Sequence, residues 1–259
     1  MMEHDADIAA CAALLQRADP ERFRATMAAP PVARRVLFPI HAFNVEIARA
    51  PWVSEEPMIA EMRLQWWREG IERIAAGERP RRHEVLTPLA DVLAPHTAAS
   101  LDGLIAARRW DIHHEPFEDA AQFGRYIDDT TGTLLVAAAQ SLGPADEAVV
   151  RDFAHGVGVA NWLRAVPALE ARGRIPLPDR SGSAIAELAA AALERLARAR
   201  RSRARVSRRA APALLAGWQA GAILRQARDE PGRVAAGRLG SSEARARLRL
   251  MLRAVGGRW

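Results

Sequence analysis

Residues Ser54 to Gly77 read SEEPMIAEMRLQWWREGIERIAAG. Ile59, Met62 and Trp66, then Trp67, Ile71 and Ile74, recur every three or four residues, which lays a wide apolar face along an α-helix. Ser54, followed by Glu55 and Glu56, suits the start of that helix: a side-chain oxygen can cap the first turn, and the acids meet the positive end of the helix dipole. Gly77 suits its end. The same spacing continues in both directions. Helices are expected at Asp5–Arg17, from Pro20, and at Val32–Ala50 with Pro39 as a kink or boundary. Further helices are expected at Glu84–Ala94, Ser100–His113, Asp119–Ser141, Ala145–Leu169, Ala184–Val206, Pro212–Arg228 and Ser242–Ala254. Strand-like alternation is essentially absent. Gly173, Pro176, Pro178 and Gly182 mark Glu170–Ser183 as a long irregular connection. No repeat or linker divides the chain, so the expectation is one all-α domain over residues 1–259.

Composition narrows the classes of function. The chain has 259 residues, 49% of them apolar, enough to bury roughly 70–75% of the unfolded surface. The longest apolar run, Thr133 to Ala139, is far short of the ~20 residues of a membrane span. The acidic opening (Glu3, Asp5, Asp7) lacks the basic-then-apolar pattern of an export signal. Cys11 is the sole cysteine, so a disulfide framework and a cysteine zinc site are excluded. The expected setting is therefore cytoplasmic. Every one of the 37 basic residues is arginine, and the net charge of +6 favours anionic partners: acidic lipid, nucleic acid or phosphorylated ligands.

Several segments, in order, resemble the squalene/phytoene synthase family. His41-Ala42-Phe43-Asn44-Val45-Glu46-Ile47-Ala48-Arg49-Ala50-Pro51-Trp52 resembles the family helix that begins Tyr-Ala-Phe and ends in an Asp-x-x-x-Asp metal motif. Arg63-Leu64-Gln65-Trp66-Trp67-Arg68-Glu69 is similar to Arg-Leu-x-x-Trp-Arg-Glu. Leu104-Ile105 through Trp110-Asp111-Ile112, and Tyr126 followed by Thr131-Gly132-Thr133, match two further family segments more loosely. Asn161-Trp162-Leu163-Arg164-Ala165-Val166, then Arg172-Gly173-Arg174-Ile175-Pro176-Leu177-Pro178, resemble Asn-Ile-Leu-Arg-Asp-Val and Gly-Arg-x-Tyr-Leu-Pro. The clearest match covers residues 35–180. The resemblance implies a single isoprenoid-synthase-type helical bundle. Enzymes of the family join two prenyl diphosphates head to head, and two aspartate-rich helices hold the Mg²⁺ that carries the diphosphates.

The aligned metal positions here are Ala48, Trp52, Ala165 and Leu169, none of them a ligand. Mg²⁺ demands oxygen ligands, usually carboxylates plus substrate phosphate. Glu46 points about 200° around the helix from position 48, and Glu170 about 100° from position 169. Asn44 shares the face of Ala48 but is neutral and solitary. No catalytic residue, metal or cofactor is therefore expected. The Ala-Phe-Asn-Val-Glu-Ile-Ala and Met-Arg-Leu-Gln-Trp-Trp wording is more similar to the branch of the family that serves as an assembly factor for respiratory complex I. That resemblance implies a non-catalytic role with a protein client in a membrane respiratory complex. It also implies a residual apolar pocket for an isoprenoid or lipid tail. Asn44, Arg63, Tyr126, Asn161, Arg164, Arg172 and Arg174 are its candidate lining and anion-binding residues, although the arginines could equally form structural ion pairs. The alternative is a divergent prenyl transferase that grips diphosphate with arginine instead of metal, as bidentate guanidinium contacts allow.

Other clusters have plainer readings. Asp111, His113, His114 and Glu115 suggest a metal site, against which stands pairing of Asp111 with Arg108 or a neighbouring helix. Asp128 and Asp129 point about 100° apart, leaving one free to contact Arg125 or a neighbouring helix. Gly156, Gly158 and Ala160 fit close helix packing. The arginines between Arg195 and Arg209 fit a solvated face first and an anionic membrane surface second. No aromatic side chain interrupts that stretch to stack on bases, so nucleic acid is disfavoured. A peripheral position on the inner face of the membrane is the corresponding expectation for location.

Overall fold

Prolines and short capping side chains set where the helices begin. The computed structural model describes residues 2–54, 56–113, 115–257 and 259, with side chains from residue 5 onward. Helix α1 (Met2–Ala18) leads through Asp19, whose carboxylate accepts from the Arg22 amide at 3.0 Å, into α2 (Pro20–Met27). Pro31 opens α3 (Pro31–Arg49), which continues through Pro39 and tightens into a 3₁₀ turn, Ala50–Trp52. Helix α4 (Pro57–Ala75) starts at another proline, suited to a first turn where the amide would lack a partner. Gly77 follows at φ +76°, as a left-handed residue beyond a helix end should. The Ser54 hydroxyl accepts from the Glu56 amide at 3.1 Å, ahead of the helix rather than capping it, and Glu55 lies outside the described residues.

Then come α5 (Leu86–Val92), α6 (Pro95–Ala107), the short α7 (Trp110–His113) and α8 (Ala120–Ile127). Helix α8 widens into a π turn, Asp128–Gly132, before α9 (Thr133–Leu142). The capped α10 (Glu147–Glu170) and α11 (Gly182–Arg201) follow, then 3₁₀ turns at Arg203–Arg205 and Ala211–Gly217. The chain closes with α12 (Ala220–Asp229), α13 (Gly232–Ala235) and α14 (Glu243–Gly256). Among the described residues the only strand-like pairing is one bridge, Ala145 to Val206. No helix among them is long and apolar enough to cross a membrane.

Four expected helices are interrupted. The one over 100–113 starts earlier, at Pro95, and breaks between Ala107 and Trp110. The one over 119–141 contains the π turn, where the Thr130 hydroxyl donates to the Tyr126 carbonyl at 2.6 Å and competes with the regular ladder. The one over 184–206 ends at Arg201, because Val206 leaves to pair with Ala145. The one over 212–228 is a 3₁₀ segment up to Gly217 and α-helical only from Ala220. Periodicity could not reveal these breaks, since the apolar spacing runs on across them.

Helix α10 is the central element and packs on α9, α11 and α12. A Cβ added to Gly156 would fall 2.3 Å from Leu196 Cγ, so this glycine permits the close approach of α10 and α11. Helix α4 corrects one expectation. Its buried face runs through Ala60, Leu64, Trp67, Ile71 and Ile74, whereas Ile59 is 40% and Met62 66% exposed. Position 62 lies about 200° around the helix from position 60, which turns it away from the bundle.

The arginine-rich stretch does not form one solvated face. Arg195 donates to Asp152 at 3.0 Å and to Asp128 at 3.2 Å, and Arg198 holds Asp152 at 2.5 and 2.8 Å. Arg205 pairs with Asp146. Arg198 hydrogen bonding holds the Asp152 carboxyl below its usual range.

His41 carries a pH dependence. It is completely buried on α3, and burial, reinforced by the Arg22 charge, holds its imidazole well below the ordinary histidine range. The folded protein keeps it neutral, whereas the unfolded chain takes up a proton below about pH 6.5. Stability should therefore fall by about 1.4 kcal/mol per pH unit below that value, until the folded-state pKa is reached. Urea midpoints measured at pH 7.5 and pH 5.0 should drop for the wild type, and the drop should shrink for His41→Leu. An equal drop in both proteins would show that His41 is not the source.

Candidate functional site

The polar residues at the middle of the bundle come from five segments of the chain. Arg108, at the break after α6, reaches Tyr126 on α8 at 2.9 Å, Asp111 on α7 at 3.3 Å and Asn44 on α3 at 3.4 Å. The Tyr126 hydroxyl donates to both Asp111 carboxylate oxygens, at 2.9 and 3.0 Å. Arg174, from the 170–181 connection, donates to the Asp111 carbonyl. Asn44, Asp111, Tyr126 and Arg174 are buried and Arg108 is mostly so, in an interior where a lone charge would be costly and a paired one is tolerated. Burial works against both charges, yet contact with Tyr126 and Asp111 holds Arg108 above its ordinary value, so the guanidinium stays charged. Burial raises the Tyr126 phenol, which remains a neutral donor. The Arg108–Asp111 pairing read from the sequence is thus present. Asp111 is fully engaged, His113 faces Glu61 at 3.4 Å, and His114 lies outside the described residues.

An aromatic group adjoins this cluster. Trp110 stacks on Phe117 with centroids 4.0 Å apart, and Phe123, Tyr126 and Trp162 pack around Phe117 within 5.8 Å. The Trp162 indole N–H donates to the Pro176 carbonyl at 2.7 Å, anchoring the 170–181 connection to α10. That connection lays Arg172 and Arg174 against the Trp52 indole, each guanidinium carbon 4.8 Å from the ring centroid, a cation–π arrangement.

Two open clefts flank the buried cluster. One, of about 640 Å³, lies between α2, α3 and α10 and gathers Asn44, Asn161, Arg164 and Ala165 with Glu21 and Arg22. Arg164 is held there by both Glu21 carboxylate oxygens, one at 3.0 Å. The other, of about 610 Å³, is lined by Trp52, Val53, Pro57, Ala60 and Ile112. The candidate residues therefore divide. Asn44, Asn161 and Arg164 share the first cleft, Arg172 and Arg174 embrace Trp52 at the second, and Tyr126 is buried between them. Arg63 is exposed on α4 and lines neither. Ala48 and Leu169 are half-buried. Sequence reasoning missed Glu21, which lies 143 residues from its partner Arg164 and carries no local signal.

The donors in these clefts do not suit Mg²⁺. Asn44 and Asn161 offer neutral amides, Asp19 is held by the Arg22 amide and guanidinium, and Glu21 is engaged by Arg164. Glu46 is paired with Arg49 at 2.8 Å, and burial pushes its carboxyl up. Glu170 faces Arg180 at 3.5 Å, and Asp128 binds His155 at 2.8 Å. Among the described residues no three His, Cys, Asp or Glu side chains gather closely enough to hold a metal ion.

An all-α bundle with its polar centre between α3, α7 and α8 belongs to a known structural class. It overlays a dehydrosqualene synthase with a TM-score of 0.77 at 13% identity, over 98% of this chain and 97% of the other. It overlays a squalene synthase from Alicyclobacillus acidocaldarius with a TM-score of 0.70 at 17% identity, over 89% and 96%. These likenesses define an isoprenoid-synthase-type bundle, and they concern the fold alone. The sequence goes further: the squalene/phytoene synthase profile matches residues 15–181, and the chain belongs to that family. Among curated relatives, a Drosophila melanogaster protein named as a homolog of NADH dehydrogenase (ubiquinone) complex I assembly factor 6 is 29% identical over 61% of this chain and 50% of its own length. The Homo sapiens protein of that name is 26% identical over 65% and 52%. The chain thus aligns with about half the length of these relatives.

Proposed function

We propose that this chain is a non-catalytic member of the squalene/phytoene synthase family that acts in the assembly of a membrane respiratory complex, complex I. The observation that carries this reading is the first cleft. Between α3 and α10, where carboxylates would be needed to carry Mg²⁺ and diphosphate, stand Asn44, Asn161, Ala165 and an Arg164 already neutralised by Glu21. A metal contributes several kcal/mol by offsetting charge on a departing group, and no side chain here takes that role. The names of the aligned relatives support the client, a respiratory complex. The protein works from the inner face of the membrane as a peripheral protein, and an isoprenoid or lipid tail would lie against the apolar cleft of Val53, Pro57, Ala60 and Ile112.

Two measurements test this. Deleting the gene should lower assembled complex I, and the intact gene should restore it. Purified protein with farnesyl or geranylgeranyl diphosphate and Mg²⁺ should release no diphosphate above background. Turnover at ordinary enzyme rates, with complex I unchanged in the deletion strain, would establish the prenyl transferase reading instead.

A further inference from the structure

Helix α14 buries Ala246 and Leu250 against the bundle but leaves a second apolar stripe uncovered. Its outward face carries Leu248, Met251, Leu252 and Val255, which are 57%, 63%, 66% and 90% exposed. These residues span about 100° of the helix circumference, with Arg245, Arg249 and Arg253 along one border of the stripe and Arg247 on the other. Arg249 and Arg253 turn inward to a groove of about 620 Å³, which they share with Arg200, Arg203, Arg245, Leu248, Leu252 and Trp259. A helix whose outer face meets only water would carry polar side chains along that face.

Among the described residues of the lining, no acidic side chain offsets the groove's charge from within. Arg200 Nε donates to the Trp259 backbone oxygen at 3.2 Å, but Arg200 Nη2 and Arg249 Nη1 are buried without a hydrogen-bond partner. Burial, with the charges of Arg200, Arg249 and Arg225 added, lowers the Arg253 pKa to about 10. Clustered guanidinium groups with nitrogens left unpaired attract a strong anionic acceptor, and phosphate suits their geometry. The apolar stripe beside them needs a non-aqueous phase to enter.

From this juxtaposition we infer that α14 and its arginine groove dock onto an anionic phospholipid bilayer, with headgroup phosphates in the groove and Leu248, Met251, Leu252 and Val255 in the acyl boundary. Interfacial helices combine an apolar face with flanking basic side chains in this way. The inference relocates the membrane contact expected from the Arg195–Arg209 stretch, three of whose arginines are committed to Asp128, Asp146 and Asp152. It stands independently of a role in complex assembly.

Cosedimentation with vesicles tests it. The full chain should bind phosphatidylcholine vesicles containing phosphatidylglycerol at least tenfold more tightly than pure phosphatidylcholine, and binding should weaken with salt. Arg249→Gln/Arg253→Gln should weaken binding about tenfold, and so should Leu252→Ser/Val255→Ser, while Arg208→Gln/Arg209→Gln stays within twofold. Equal binding to neutral vesicles, or equal loss in all three variants, would overturn the proposal. A second readout avoids altering the groove. An environment-sensitive dye on Val255→Cys, in a Cys11→Ser background, should shift to the blue with anionic vesicles. It should not shift with soluble polyglutamate. A matching shift with polyglutamate would mean that the groove takes an acidic polypeptide, and no shift with anionic vesicles would exclude insertion.

Discussion

Asp111→Ala should cost about 3–5 kcal/mol of stability, since removing one partner of a buried ion pair leaves the other charge stranded. The stranded group is Arg108, whose remaining partners are Tyr126 and Asn44. Tyr126 loses both oxygens to which its hydroxyl donates. For a chain of this size the melting temperature should fall on the order of 10 °C. The double variant Arg108→Met/Asp111→Leu should recover much of that loss, because an apolar pair of similar volume removes the uncompensated charge. Thermal melts of the two proteins decide the point. A single variant within about 1 kcal/mol of wild type would show that water reaches the cluster and screens it.

Trp162→Ala should cost about 3 kcal/mol, the lower end for removing a large aromatic, because the indole is half-buried. Its ring meets Trp110, Phe117, Phe123 and Tyr126, so the deletion opens a void beside the buried polar cluster. Its N–H also pins the Pro176 carbonyl. Trp162→Phe keeps most of the packing and should lose only about 1 kcal/mol, the net worth of a hydrogen bond. The two variants separate packing from anchoring. In Trp162→Phe, proteolytic cleavage of the 170–181 connection should accelerate more than global unfolding does. If both rise equally, that hydrogen bond has no local role.

Much of the architecture was readable from residue spacing. The buried side of α4 through Trp67, Ile71 and Ile74, the stop at Gly77 and the small-residue contact at Gly156 all follow from local rules. The site was readable only in part. Of the seven candidate residues, Asn44, Asn161 and Arg164 line one cleft, whereas Arg63 lies apart on an exposed face. Side chains on neighbouring turns of one helix report on each other through sequence, while partners on different helices do not. Glu21, which neutralises Arg164, is of the second kind.

The sequence by itself determined that the chain is all-helical, that it has the squalene/phytoene synthase signature, and that Ala48, Trp52, Ala165 and Leu169 cannot bind a divalent cation. Those properties depend on residue type and on contacts within about four positions along the chain. Only the tertiary structure decided which arginines are engaged and which are left with charge to spare. Arg195, Arg198 and Arg205 look equivalent to Arg200 and Arg203 in the sequence, yet the first three meet aspartates while the last two enter the groove beside α14. An ion pair needs two groups within about 4 Å, and it is the packing of one helix on another that sets that distance.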